Sequence, residues 1–127
     1  MPRGQSRYRD APGYRVELTP NGERVRVFLG EDEVADSRRT LLVKESRHAP
    51  VVYFPFDDVR MDLLERTAHE TFCPFKGYAS YWTIRIENRL EENAVWAYED
   101  PFEEVAGLRG YVSFYVGRGE LTQRLEP

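Results

Sequence analysis

Tyr78-Ala79-Ser80-Tyr81-Trp82-Thr83-Ile84-Arg85-Ile86-Glu87 decides the fold. Trp82, Ile84 and Ile86 fall on one face, behind Tyr78 and Ser80, and Ala79, Tyr81, Thr83 and Arg85 fall on the other. That is the period of a β-strand. The stretch that feeds it, Thr71-Phe72-Cys73-Pro74-Phe75-Lys76-Gly77, holds the only cysteine and one of only two lysines. Pro74 restricts φ and removes a donor, and Gly77 can take the positive φ of a tight turn. A functional site is sought first around this turn.

Working outward, the pattern stays β. Downstream, Asn88 to Asn93 is expected as a hairpin loop. Ala94 to Tyr98 is a returning strand with Trp96 and Tyr98 on one face. Phe102 to Ala106 suits one helical turn behind Pro101. Tyr111 to Val116 is a last core strand after the Gly107 to Gly110 turn. Upstream, strands are expected at Arg15 to Leu18, Arg24 to Leu29, Glu33 to Asp36, Thr40 to Glu45 and Val51 to Phe54. The turn signals Thr19-Pro20-Asn21-Gly22 and Gly30-Glu31-Asp32 lie between them. Phe56 to Val59 reads as a helical turn, then a strand-like run to Leu64 and a polar loop over Glu65 to Glu70. Strands recur about every ten residues and no segment carries a helical stripe. The expectation is an all-β domain of antiparallel strands in two sheets, with one or two helical turns.

At 127 residues the chain fits one domain, able to bury roughly two thirds of its unfolded surface in one core. Residues 1–13 are polar and aperiodic and are expected as a flexible tail that Tyr8 and Tyr14 could pin. Residues 14–118 are the domain. Residues 119–127 are a second tail, with room for a short edge strand near Leu121 that could pair across a homodimer. One cysteine allows no intramolecular disulfide and no zinc site built from thiolates alone. With no apolar leader in Met1 to Asp10, a reducing cytoplasmic setting is expected. A net charge of −4 gives no field for nucleic acid, and the longest apolar run, Val51 to Phe56, is too short to cross a membrane as a helix.

Four constellations carry chemistry. Cys73 stands three residues before Lys76 and four after His69. A nearby cation stabilises a thiolate and a histidine can shuttle its proton, so these three form a candidate catalytic set; equally, Cys73 is a small apolar residue in a turn. Tyr53, Tyr81, Trp82, Trp96 and Tyr98 could wall a pocket for a planar or cationic ligand, or could be core. Asp57, Asp58 and Asp62 could gather around a cation, but neighbours on a strand point apart and a solvated face is the plainer reading. Asp36-Ser37-Arg38-Arg39 could hold an anion through Arg38, or be a polar turn. No phosphate-binding glycine loop, nucleophile elbow or His-Glu-x-x-His motif is present.

From about Arg24 to Tyr115 the chain resembles the bacterial family known as domain of unknown function 427. The resemblance is carried by Val34-Ala35-Asp36-Ser37, Tyr53-Phe54-Pro55, Asp58-Val59, Thr71 through Trp82, Trp96-Ala97-Tyr98-Glu99-Asp100-Pro101 and Gly110 to Tyr115. It implies a β-tent-like fold, two antiparallel sheets meeting at an angle. Relatives of that fold often hold zinc through two Cys-x-x-Cys pairs. This chain lacks both, so no metal and no cofactor is expected. The family has also been labelled nucleotidyltransferase-like, but that chemistry calls for phosphate-binding backbone and paired metal-holding carboxylates, and neither motif is found.

The resulting expectation is a binding domain for a small or anionic molecule. Its pocket lies between the sheets, walled by Tyr53, Tyr81, Trp82, Trp96 and Tyr98, with Lys76 or Arg38 fixing a polar group. The alternatives are a thiol enzyme using Cys73, Lys76 and His69, and an interaction domain without a small-molecule site.

Overall fold

Period-two patterning runs along most of the chain. The computed structural model, which describes residues 3–126, turns it into ten strands. They are β1 (Val16–Asn21), β2 (Arg24–Leu29), β3 (Asp32–Ser37), β4 (Thr40–Glu45), β5 (Val51–Pro55), β6 (Leu64–Cys73), β7 (Gly77–Ile86), β8 (Arg89–Ala97), β9 (Tyr111–Phe114) and β10 (Leu121–Glu126). Helical structure is limited to 3-10 turns at Tyr8–Asp10, Phe56–Asp58, Met61–Leu63 and Glu103–Leu108. Among the described residues no helix is long and apolar enough to cross a membrane.

The strands form two antiparallel sheets, as expected. One has seven strands in the order β1-β4-β5-β9-β8-β7-β6, and the other has three in the order β10-β2-β3. Alternation places one core between them. Val25, Val27 and Leu29 of β2 and Val34 of β3 face Phe54, Trp82, Ile84, Val95, Val112 and Phe114 of the large sheet. Each fully buried aliphatic side chain here contributes about 2 kcal/mol. Trp82 meets Phe56 edge-on at 6.0 Å, and Phe54 meets Phe114 in the same way at 5.4 Å. The other face of the large sheet carries a second cluster. There Val43, Tyr53, Ala79, Tyr81 and Tyr98 pack with Phe102, Val105 and Leu108 from the 3-10 segment.

The large sheet is not flat. Strands β4 and β7 stand four places apart in its order, about 19 Å if flat. Yet Lys76, in the turn before β7, pairs with Glu45 at the end of β4. The sheet therefore curls toward its second face.

Besides the run to Leu64, where Met61–Leu63 is a 3-10 turn rather than strand, three local expectations need correction. Glu65 to Glu70 is not a loop but the middle of β6, paired with β7 across an irregularity between Arg66 and Glu70. As an edge strand with little burial it carries no apolar alternation, so nothing in its composition announces it. Asn88 to Asn93 is not a loop either: Glu87-Asn88 makes the turn, with φ 54° at Glu87, and β8 already begins at Arg89. The third concerns the turn signal at Pro20. Strand β1 continues through Pro20, opposite Leu41, to Asn21. An edge strand tolerates proline because only one side needs hydrogen bonds.

The two ends of the described chain are docked. The Tyr8 hydroxyl donates to Phe75 O at 2.7 Å, the Arg7 amide donates to Pro74 O at 3.0 Å, and the Tyr14 ring stacks on Phe75 at 3.8 Å. Burial, and then the nearby Glu104 carboxylate, push the Tyr8 phenol up to about 12. At the other end, β10 pairs with β2 along its whole length and buries Leu121 completely.

Two of the stretches that carry the family resemblance meet at a polar cluster beside the first core. Ser37 Oγ donates to Asp58 Oδ2 at 2.6 Å and accepts the Arg39 amide at 2.9 Å. The Arg39 guanidinium donates to both Asp58 oxygens, at 2.9 and 3.3 Å. The Arg60 amide donates to Val34 O at 2.8 Å, and Ala35 bridges to Val59. These bonds tie the loop after β5 to β3. Asp58 therefore belongs to a structural ion pair rather than to a carboxylate cluster. Among the described residues no group of three or more His, Cys, Asp or Glu side chains gathers closely enough to hold a metal ion.

Candidate functional site

The turn from Cys73 to Gly77 closes with the Lys76 amide donating to Cys73 O at 3.2 Å. Gly77 takes φ 113°, a value that L side chains rarely adopt. The same glycine lets Asp100 and Pro101 approach: a Cβ there would meet Asp100 O at 3.5 Å. Lys76 O accepts the Phe102 amide at 3.0 Å. The turn is thus held from one side by Asp100–Phe102 and from the other by Arg7, Tyr8 and Tyr14.

This bracing directs Lys76 inward. The residue is only 7% exposed, and its ammonium pairs with the Glu45 carboxylate, whose side chain is 11% exposed. Glu45 also accepts the Tyr14 hydroxyl, and His48 Nε2 lies 3.9 Å from it at the rim. Cys73 Sγ is 3.8 Å from Lys76 Nζ. The Tyr98 ring lies 5.9 Å from the same nitrogen. Burial, together with the Glu45 carboxylate it touches, pushes the Tyr14 phenol up from its ordinary value.

Above this pair the curled sheet holds an open cavity of about 380 Å³. Tyr53 from β5, Tyr81 from β7, Trp96 from β8, Tyr98 just beyond β8 and Tyr115 just beyond β9 form its aromatic wall. Trp96 Nε1 donates to the Tyr53 hydroxyl at 3.0 Å, with the two rings edge-on at 6.1 Å. The Tyr81 hydroxyl lies 2.9 Å from Thr71 Oγ1. Burial pushes the Tyr53 and Tyr98 phenols strongly upward, so both remain protonated donors.

Six residues singled out in the sequence are therefore brought together: Tyr53, Cys73, Lys76, Tyr81, Trp96 and Tyr98. Three are not. Trp82 lies in the core between the sheets, on the opposite face of β7 from Tyr81. The register sets Tyr81 against Trp96 and Trp82 against Val95, so the two tryptophans cannot share a wall. For the same reason the cavity lies not between the sheets but on the far face of the large one. His69 packs edge-on against Tyr81 at 4.5 Å and lines a separate groove with Arg66, Thr67 and Asn93. Four residues along a strand separate it from Cys73, about 13 Å, too far for a proton-shuttling pair. Arg38 is exposed in the turn between β3 and β4, outside the cavity.

Sequence reasoning placed none of Tyr14, Glu45, His48 and Tyr115 in a site, naming Tyr14 only as a pin for the N-terminal segment. Glu45 closes an apolar strand, and its lysine partner is 31 residues away, so nothing local marks it. His48 read as loop. Of the exposed large apolar side chains, Phe72, Leu90 and Leu125 stand on three different strands, while Tyr115 borders the cavity.

The profile of the family described as domain of unknown function (DUF427) matches residues 17–124. A search of curated proteins found no match.

Proposed function

This chain belongs to the DUF427 family, and we propose that it is a binding module for a small molecule held in the aromatic cavity above Lys76 and Glu45. The observation that carries this reading is the cavity itself. Its volume of about 380 Å³ lies within the range of small-molecule sites. Its walls are aromatic and its few polar groups converge at the floor, the usual division between affinity and orientation. The Lys76–Glu45 pair compensates itself, which moves the reading away from an anionic ligand. A lone cysteine suits a reducing, cytoplasmic setting for such a module.

The test is to purify the full chain under native conditions and weigh it by native mass spectrometry, alongside Trp96→Leu. A retained small molecule, lost in the variant while the fold persists, supports the reading. Identical bare masses, together with no fragment perturbing the Trp96 indole signal by NMR, would sink it.

One observation favours a second reading, thiol chemistry at Cys73. The sulfur lines the same cavity and stands 3.8 Å from the Lys76 ammonium. His69 takes no part in it. His48, at the rim, is the one histidine that borders the cavity.

A further inference from the structure

The hydrogen-bond inventory of the cavity is unbalanced. Tyr98 is 91% buried, since only 9% of it is exposed, and among the described residues its hydroxyl has no partner. Among the described residues, every side-chain nitrogen or oxygen fully shut off from solvent does have a partner. The Tyr98 oxygen therefore keeps some open surface, and the cavity is what its side chain lines. Tyr53 is 2% exposed, and its oxygen accepts the Trp96 indole N–H, which leaves its own proton with no acceptor. Buried donors are ordinarily satisfied. The Tyr98 hydroxyl thus has the cavity as the place to find an acceptor, and the Tyr53 hydroxyl proton is unused beside it.

The charge balance decides what kind of acceptor. Lys76 and Glu45 neutralise each other within the floor, so the pair lends no net positive charge to a carboxylate or phosphate, and His48, the other basic side chain of the lining among the described residues, stands at the rim beside the same Glu45. The burial that keeps both phenols protonated equally penalises any anion brought in. A cation finds aromatic faces, but it also finds the Lys76 ammonium, which lies 5.9 Å from the Tyr98 ring. Trp96, half-buried and packed beside Tyr115 at 4.4 Å, and Tyr81 opposite it on β7 make the lining aromatic, which suits a planar ring.

We infer that the cavity selects a planar ring bearing an uncharged hydrogen-bond acceptor, an amide-type carbonyl, which takes the Tyr98 and Tyr53 hydroxyl protons. This rests on the binding reading above and specifies its ligand class. Arg38, proposed from sequence to fix an anion, has no part in it.

Three probes of one size separate the classes: benzamide, benzoate and benzylammonium. Each is titrated into the full chain while the Trp96 indole N–H is followed by NMR. Benzamide is expected to bind at least about tenfold tighter than either charged probe. Tyr98→Phe should weaken benzamide by about two- to tenfold, the worth of one hydrogen bond, and leave benzylammonium, which offers no acceptor, unchanged. If Tyr98→Phe does not fold, Tyr53→Phe and the ranking on the unmodified chain decide the matter. Equal binding of the three, or tighter binding of a charged one, overturns the carbonyl assignment and leaves the pocket reading standing. An unchanged benzamide affinity in a folded Tyr98→Phe overturns it in the same way. Binding by none of the probes overturns the carbonyl assignment, and the pocket reading falls with it only if the natively purified chain also carries no retained molecule.

Discussion

Tyr81 and Trp96 stand directly opposite each other across β7 and β8, and this single register places both rings in the cavity and sends Trp82 to the core. The two tryptophans consequently report different places. With Trp82→Phe only Trp96 emits, from a half-buried site at the cavity wall. With Trp96→Phe only Trp82 emits, from a site 6% exposed. Acrylamide should quench the first protein several-fold more efficiently than the second. Trp82→Ala should cost about 3–5 kcal/mol in a urea titration, while Trp96→Leu should act mainly on ligand capture. Equal quenching of the two single-tryptophan proteins would contradict the register.

The Lys76–Glu45 pair joins the two ends of the curled sheet, with side chains only 9% and 11% exposed. Removing one partner strands the other inside the protein. Lys76→Met alone should destabilise by about 3–5 kcal/mol. Adding Glu45→Gln should recover part of that loss, because no uncompensated charge remains. A double-mutant cycle by chemical denaturation measures the coupling. Additive single effects would mean that the two groups do not meet in solution.

Cys73 lines the cavity wall without being exposed. Iodoacetamide should therefore modify it in the native protein, more slowly than in urea, and saturating benzamide should slow the reaction further. The chain has one thiol, so mass spectrometry reads the rate without ambiguity. Modification only after denaturation would assign Cys73 to packing and end the thiol reading.

Acid should loosen the tie between β3 and the loop after β5. The Arg39 guanidinium beside Asp58, with the Ser37 hydroxyl, holds the Asp58 carboxyl below the usual carboxylate range. The folded pKa is thus lower than the unfolded one of about 3.9. The resulting stability is fully present above about pH 4 and is lost as pH falls through the lowered value. Asp58→Asn should therefore be less stable than the parent at pH 6 and show a shallower loss between pH 5 and 3. Asp36, Asp62 and Glu99 are lowered by their own arginine partners and keep some slope in the variant. Parallel urea-midpoint curves for the two proteins would show that the pair does not form.

Local patterning alone determined most of the strands. Apolar alternation in Arg24–Leu29 and along Tyr78–Ile86 requires one face to be buried, whatever the partner, and Pro74 and Gly77 require a turn between β6 and β7. The same alternation already separated Tyr81 from Trp82. What it could not determine is which of them meets Trp96. That depends on register and on which face the smaller sheet covers, and both are non-local. The polar edge strand β6 was invisible because an exposed strand needs no apolar period. The cavity floor was equally hidden. Glu45 and Lys76 are 31 residues apart, and only the curl of a seven-stranded sheet, produced by strand twist and closed by the packing of Glu103–Leu108, brings them into contact.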